Sequence, residues 1–174
     1  REFRAAWVAT VFNLDWPSRA GLSAGQQKQE LLHIITRANQ LKLNAIILQV
    51  RPNGDALYQS SLEPWSGWLS GPGVNPGYDP LAFAIAECHK RGMELHAWFN
   101  PFRATISGRP VGRNHISRRQ PNLLKRAGNT TILNPSSSAA QQHVLRVILD
   151  VVRRYDIDGV HLDDYFYPYP PHHN

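Results

Sequence analysis

Four short apolar or alternating runs, at residues 3–11, 45–51, 94–100 and 157–163, read as strands. Three stretches with helical spacing lie between them. Residues 26–42 bring Leu31, Ile34, Ile35, Ala38 and Leu41 onto one face. A second helix opens at Asp79-Pro80, a capping carboxylate followed by proline at the first helical position, and ends at Gly92. The third runs from about Ser137 to Tyr155, with Val144, Leu145, Val147, Ile148, Val151 and Val152 as its apolar face. Strict alternation of strand and helix predicts a parallel sheet joined by right-handed crossovers.

The connections are unequal. Each helix returns to the next strand through a few residues: Leu43-Asn44, Gly92-Met93 and Asp156. Each strand reaches the next helix through a long segment rich in proline, glycine and aromatic residues, at 12–25, 52–78 and 101–136. Sites in α/β folds lie where such segments leave the carboxyl ends of the strands.

Side-chain parity separates a barrel from an open sheet. Ile46, Leu48 and Val50 oppose Ile47, Gln49 and Arg51; Leu95, Ala97 and Phe99 oppose His96, Trp98 and Asn100; Val160 and Leu162 oppose His161 and Asp163. One face is apolar, as it must be beneath helices, and the other turns polar toward the carboxyl ends. A doubly wound sheet, covered on both faces, would show continuous apolar strands instead. The expectation is therefore an α/β fold of the TIM-type (β/α) barrel. A complete barrel needs about 250 residues, so residues 1–174 are read as its N-terminal half, about four βα units. Four strands alone would leave two open parallel edges.

Composition narrows the class. Hydrophobic content of 42% with 18% charged residues belongs to a globular chain with a packed core. No apolar run approaches the roughly 20 residues of a membrane-spanning helix. The opening Arg1-Glu2-Phe3-Arg4 leads into a strand rather than a signal peptide. A lone cysteine, Cys88, excludes an internal disulfide and a cysteine-rich metal site. The net charge of +6 is unevenly placed. Between Leu95 and Leu149 there is no Asp or Glu, yet Arg103, Arg109, Arg113, Arg118, Arg119, Lys125, Arg126 and Arg146 all fall there. Such a stretch favours an anionic partner. No nucleic-acid-binding module accompanies it, so no nucleic acid is expected.

The strongest chemical constellation is Asp158-Gly159-Val160-His161-Leu162-Asp163-Asp164-Tyr165-Phe166-Tyr167-Pro168. It places Asp163 on the inner side of the fourth strand and Asp164 at the following turn. A carboxylate there suits a nucleophile, a general acid or base, or a group that stabilises an oxocarbenium ion. The plainer alternative is a salt bridge from Asp163 to Arg51, with Asp164 capping the turn. Adjacent strand residues cannot form the whole acid–nucleophile pair, because a glycosidase sets its two carboxyls about 5–5.5 Å or 6.5–9.5 Å apart across one bond. Asp15 and Asp55 stand at the same edge as candidate partners, and strands beyond the fourth are equally good sources.

Aromatic residues crowd this edge: Trp16, Tyr58, Trp65, Trp68, Tyr78, Trp98, Phe102, Tyr165, Tyr167 and Tyr169. Flat rings with polar rims suit sugar faces, although about half of them should only pack loops together. Arg51, Asn53, Asn100 and Arg103 offer hydrogen bonds to hydroxyls or a carboxylate. His96 and His161 share the inner face with Asp163, a conceivable metal set without signature spacing. Histidines bonded to carboxylates are the commoner arrangement, so neither metal nor cofactor is expected. No Gly-x-Ser-x-Gly elbow supports serine chemistry.

On these residues the chain resembles the glycosyl-hydrolase-like family 10, and particularly its divisome-localised members of the bacterial cell envelope. The resemblance is carried by Phe3-Arg4-Ala5-Ala6-Trp7-Val8-Ala9-Thr10-Val11, Leu14-Asp15-Trp16-Pro17, Gln49-Val50-Arg51-Pro52-Asn53-Gly54-Asp55-Ala56-Leu57 and Asn75-Pro76-Gly77-Tyr78-Asp79-Pro80-Leu81. It continues through His96-Ala97-Trp98-Phe99-Asn100-Pro101 and the Asp158–Tyr167 motif. It implies a TIM-type barrel in an exported protein, periplasmic or at the cell envelope and division site, that hydrolyses O-glycosyl bonds of peptidoglycan glycan strands. It places Asp163 where related barrel glycosidases carry a fourth-strand carboxylate. Asp163 and Asp164 are thus the catalytic candidates. Asp15, Trp16, Arg51, Asn53, Trp65, Tyr78, His96, Trp98, Asn100, Arg103, His161, Tyr165 and Tyr167 are the substrate-binding candidates. A non-catalytic glycan-binding barrel is the alternative, and a metal-dependent hydrolase the third reading.

Overall fold

The computed structural model describes residues 2–164 and 166. In chain order the elements are β1 (Ala5–Val8), α1 (Ala24–Gln40), β2 (Ala45–Arg51), α2 (Pro80–His89), β3 (Glu94–Phe99), β4 (Arg103–Ile106), α3 (Ile116–Arg119), β5 (Leu124–Ala127), β6 (Thr130–Leu133), α4 (Ser138–Arg154) and β7 (Gly159–Leu162). β1, β2, β3 and β7 form one parallel sheet in that order. With α1, α2 and α4 as crossovers, this is a partial TIM-type barrel.

The local chemistry explains the helix limits. Ser23 accepts Gln26 N–H while the Gln26 side chain takes the Ser23 amide, a capping box that starts α1 two residues before the apolar spacing does. Asp79 accepts Ala82 N–H at 3.0 Å ahead of Pro80 and opens α2. Ser137 does the same for Ala140 in α4. The faces packed on the sheet are Leu31, Ile35 and Ala38 of α1, Leu81, Ala84, Ile85 and Cys88 of α2, and Val147 and Val151 of α4. Their partners on the sheet include Ile46, Leu48, Leu95, Ala97 and Phe99, all fully buried. Leu145 and Val152 of α4 stay exposed, so its buried stripe is narrower than the spacing predicts. Val160 and Leu162 are also exposed, on the strand that borders the sheet among the described residues.

The largest departure from expectation lies between β3 and α4, which reads in sequence as one long connection. It folds into a three-stranded antiparallel sheet in the order β4-β6-β5, with α3 beside it. Gly128, at φ +58, opens a two-residue Gly128-Asn129 turn between β5 and β6, a conformation that costs glycine nothing. Ala104, Ile116, Leu123 and Leu133 pack with Ala140 and Val144 of α4 in a second small core, fastening this insert to the barrel.

Gly159 is required by close approach rather than by φ. A Cβ there would run into the ring of His96 on the paired strand, including its Cγ. Gly159→Ala should therefore cost about 1–3 kcal/mol, seen as a lower urea midpoint at unchanged m-value.

Candidate active site at the carboxyl edge

Asp163 follows the last residue of β7 and is held from β3. Trp98 Nε1 donates to Oδ2 at 3.0 Å, and Asn100 Nδ2 donates to Oδ1 and Oδ2, each at 3.0 Å. Register explains the meeting: Trp98 pairs with His161 and Phe99 with Leu162, which brings Asn100 beside Asp163. Both partners offer N–H groups, so the carboxyl accepts these bonds. Asn100 is fully buried, and its Oδ1 accepts Arg103 N–H at 2.7 Å, which fixes the orientation of the amide. Arg103 Nε then donates to Pro52 O and to Asn53 Oδ1 at 3.0 and 2.9 Å. His115 Nε2 donates to Asn53 O at 2.9 Å. A polar chain thus links Asp163 to the loop after β2.

Beside the carboxylate three rings meet on the inner face. His161 lies 5.5 Å from Trp7 and 5.9 Å from Trp98, and the two indoles are 6.0 Å apart. Trp7, Trp98, His161, Leu162, Asp163 and Asp164 line a cleft of about 410 Å³. Trp7 is 64% exposed there, an open apolar ring at the cleft wall. It is absent from the sequence candidates because it lies inside β1 rather than in a loop. Its strand parity, two residues after Ala5, was the available signal. Asp164 is exposed at the rim.

Other candidates are placed elsewhere. Arg51 was expected on the inner face, but the β2–β3 register slips between Gln49 and Arg51, so that Arg51 pairs with Phe99. Such a bulge re-aims the following side chain. Arg51 is fully buried, donating from Nε and Nη2 to Glu63 at 2.7 and 2.5 Å and from Nη1 to Asn100 O at 2.6 Å. His143 of α4 also meets Glu63, at 2.9 Å. Burial alone would raise the Glu63 carboxyl, but the Arg51 charge and the hydrogen bonds from His143 and Arg51 bring it down to about 2. The plainer alternative, an Arg51–Asp163 bridge, gives way to this buried pair. Glu63, a single acid in an irregular loop, carries no motif that marks it in the sequence.

Trp16 is fully buried, its Nε1 donating to Gln27 O, and packs the loop onto α1. Tyr78 donates to the Gln27 side chain at 3.0 Å, beneath the Lys28 ammonium and against Phe83. Trp65 is half-buried against the main core. Asp15 accepts Ala9 N–H at 2.7 Å and lines a hollow against α1, where it fastens the turn after β1. Asp55 accepts Asn53 and Gly67 N–H, and burial pushes its carboxyl above the usual range. His96 bonds Glu94 at 2.9 Å and stacks near Phe3, two residues nearer the amino end than Trp98. Among the described residues no three His, Cys, Asp or Glu side chains form a metal-holding group. Burial pushes the Cys88 thiol up to about 12, which suits a buried packing residue. Tyr165 and Tyr167 lie outside the described residues.

Sequential parallel strands, helices on one face and a carboxylate-bearing cleft at the strands' carboxyl ends define a barrel of the TIM type. The chain belongs to the glycosyl hydrolase-like 10 family, whose model matches residues 2–172. It is 46% identical over 173 residues to the glycosyl hydrolase YngK of Bacillus subtilis strain 168, covering 97% of this chain and 34% of that protein. Over 187 residues it is 36% identical to the glycosyl hydrolase DigH of Escherichia coli strain K12, covering 97% and 43% of the two. The α-L-fucosidase isoenzyme 2 of Paenibacillus thiaminolyticus superposes with a TM-score of 0.62 at 15% identity, over 94% of this chain and 23% of that one. That last likeness is one of fold. The chain spans less than half the length of either curated relative. The chain is thus part of a TIM-type barrel in a glycosyl hydrolase-like family.

Proposed function

We propose that the protein hydrolyses O-glycosyl bonds in the glycan strands of the bacterial cell wall, with Asp163 as the carboxylate that faces the reacting sugar carbon. The observation that carries this reading is the clamp on Asp163. Two donors from one neighbouring strand hold it at the strand's carboxyl end, beside open rings on the same face. Positive charge develops on the sugar ring as a glycosidic bond breaks, and a fixed carboxylate stabilises it without reorganising. Trp7 and Trp98 offer rings on which a sugar face can rest, and His161 stands beside both as a hydrogen-bonding group for hydroxyls. The cell-wall strand is the substrate the family resemblance implies, and it sets the place of action in the periplasm or cell envelope.

The test is to incubate the full-length protein with purified peptidoglycan and with strands freed of stem peptides, and to follow new reducing ends. The reading predicts shortened strands with new reducing termini. Binding without cleavage of either material would overturn it in favour of a glycan-binding barrel.

A further inference from the structure

We propose that the insert between β3 and α4 carries a track for an acidic polysaccharide, in which Arg109, Arg113 and Arg126 each meet one carboxylate of the polymer. Three hollows adjoin one another on this side of the molecule. Arg113 lines one of about 400 Å³, Arg109 one of about 120 Å³ and Arg126 one of about 230 Å³. Pro72 borders the first two, and Thr105 the second and third, so each hollow is next to the one that follows it. Each holds one exposed arginine, and among the described residues none of the three is paired with a carboxylate. Arg109 lies over the Trp68 ring at 4.7 Å, which holds its guanidinium in place.

The surrounding charge is consistent with this. No acid occurs from Leu95 to Leu149. Two carboxyls do border the hollows, but Glu63 is matched by buried Arg51, and Asp55 is turned to the Asn53 and Gly67 N–H groups that it accepts. The field along the track is therefore positive, which draws in a polyanion. Planar guanidinium groups suit carboxylates. Between apolar stretches the walls carry hydroxyl and amide groups (Thr105, Thr131, Asn129, Asn114) that suit sugar hydroxyls. Single-stranded nucleic acid would call for open aromatic platforms, and Trp68 is only 5% exposed. The middle hollow also contains Asn53, which is bonded to Arg103 and through it joined to Asn100 and Asp163. A hydrogen-bonded chain within the protein thereby joins the middle hollow to the carboxylate of the cleft. The choice of a polysaccharide as the polymer rests on the glycosidase reading above.

The experiment uses full-length protein carrying Asp163→Asn, so that polymer is held without turnover. Probes are peptide-free cell-wall glycan, the same glycan with its carboxyls amidated, oligo(dT), and anionic phospholipid vesicles. Native glycan should bind at least about tenfold more tightly than amidated glycan, with the difference shrinking as salt rises. Adding Arg109→Gln, Arg113→Gln and Arg126→Gln together should abolish that preference. Each single change should cost about threefold, a readout that holds even if the triple variant melts early. Equal affinity for native and amidated glycan, a preference that survives all three changes, or tighter binding of oligo(dT) or vesicles would overturn the proposal. Absence of cleavage by the wild type with the binding preference intact would defeat the catalytic reading and leave the track standing.

Discussion

Asp163→Asn should lower turnover of cell-wall glycan by the full-length protein by about 10²–10⁴-fold, with KM changed far less. Three N–H contacts from Trp98 and Asn100 converge on the Asp163 carboxylate. An asparagine there keeps the volume, but it removes the negative charge and turns an NH2 group toward donors. The loss should fall on kcat, because the charge matters most when the sugar ring becomes cationic. Asp164→Asn changes an exposed rim residue and should have a much smaller effect. Reducing-end kinetics on both variants check this, with thermal melting to show that each remains folded. Full activity in Asp163→Asn with loss in Asp164→Asn would move the role by one residue.

The second large effect concerns stability. Glu63→Gln should destabilise the fold by about 3–5 kcal/mol, because it leaves the Arg51 charge buried without its partner. Arg51 and Glu63 have 0% and 1% side-chain exposure, so solvent does not screen the pair. Removing both charges with Arg51→Met and Glu63→Leu should recover much of that loss, since an apolar pair avoids the desolvation cost. A double-mutant cycle in urea measures the coupling. The sign with pH follows from Glu63 being held at about 2 against an ordinary value of 4.5. A depressed folded-state value stabilises fully above the unfolded value, and this contribution is lost as pH falls from 4.5 toward 2. The wild type should lose stability through that window, and Glu63→Gln should lose less. Arg51 also donates to the Asn100 and Pro101 carbonyls, so slackening the pair reaches the residue that grips Asp163.

The barrel was legible because the hydrophobic period switches between strand and helix six times, and parity put His161 and Asp163 on the same face as Trp98. The insert was not legible as a sheet. Its strands are four residues long, too short for alternation to stand out, although Gly128-Asn129 was a hairpin signal. Arg51 was misplaced because parity assumes an unbroken strand, and the bulge before it exchanges inner for outer. Tyr78 and Trp16 lie in edge loops, as the sequence indicates, but a loop position does not say whether a ring faces the cleft or the helices. Here hydrogen bonds to Gln27 of α1 hold both rings on the helix side. Glu63 and His143 became visible only when the fold brought residues 80 apart within 2.9 Å.

If Asp163 faces the reacting sugar carbon, crystals of the full-length Asp163→Asn variant soaked with peptide-free glycan oligomers should show a sugar ring against Trp7 or Trp98, with a glycosidic carbon facing residue 163. An oligomer bound only elsewhere, with the Trp7–His161–Trp98 cleft empty, would contradict that role for Asp163.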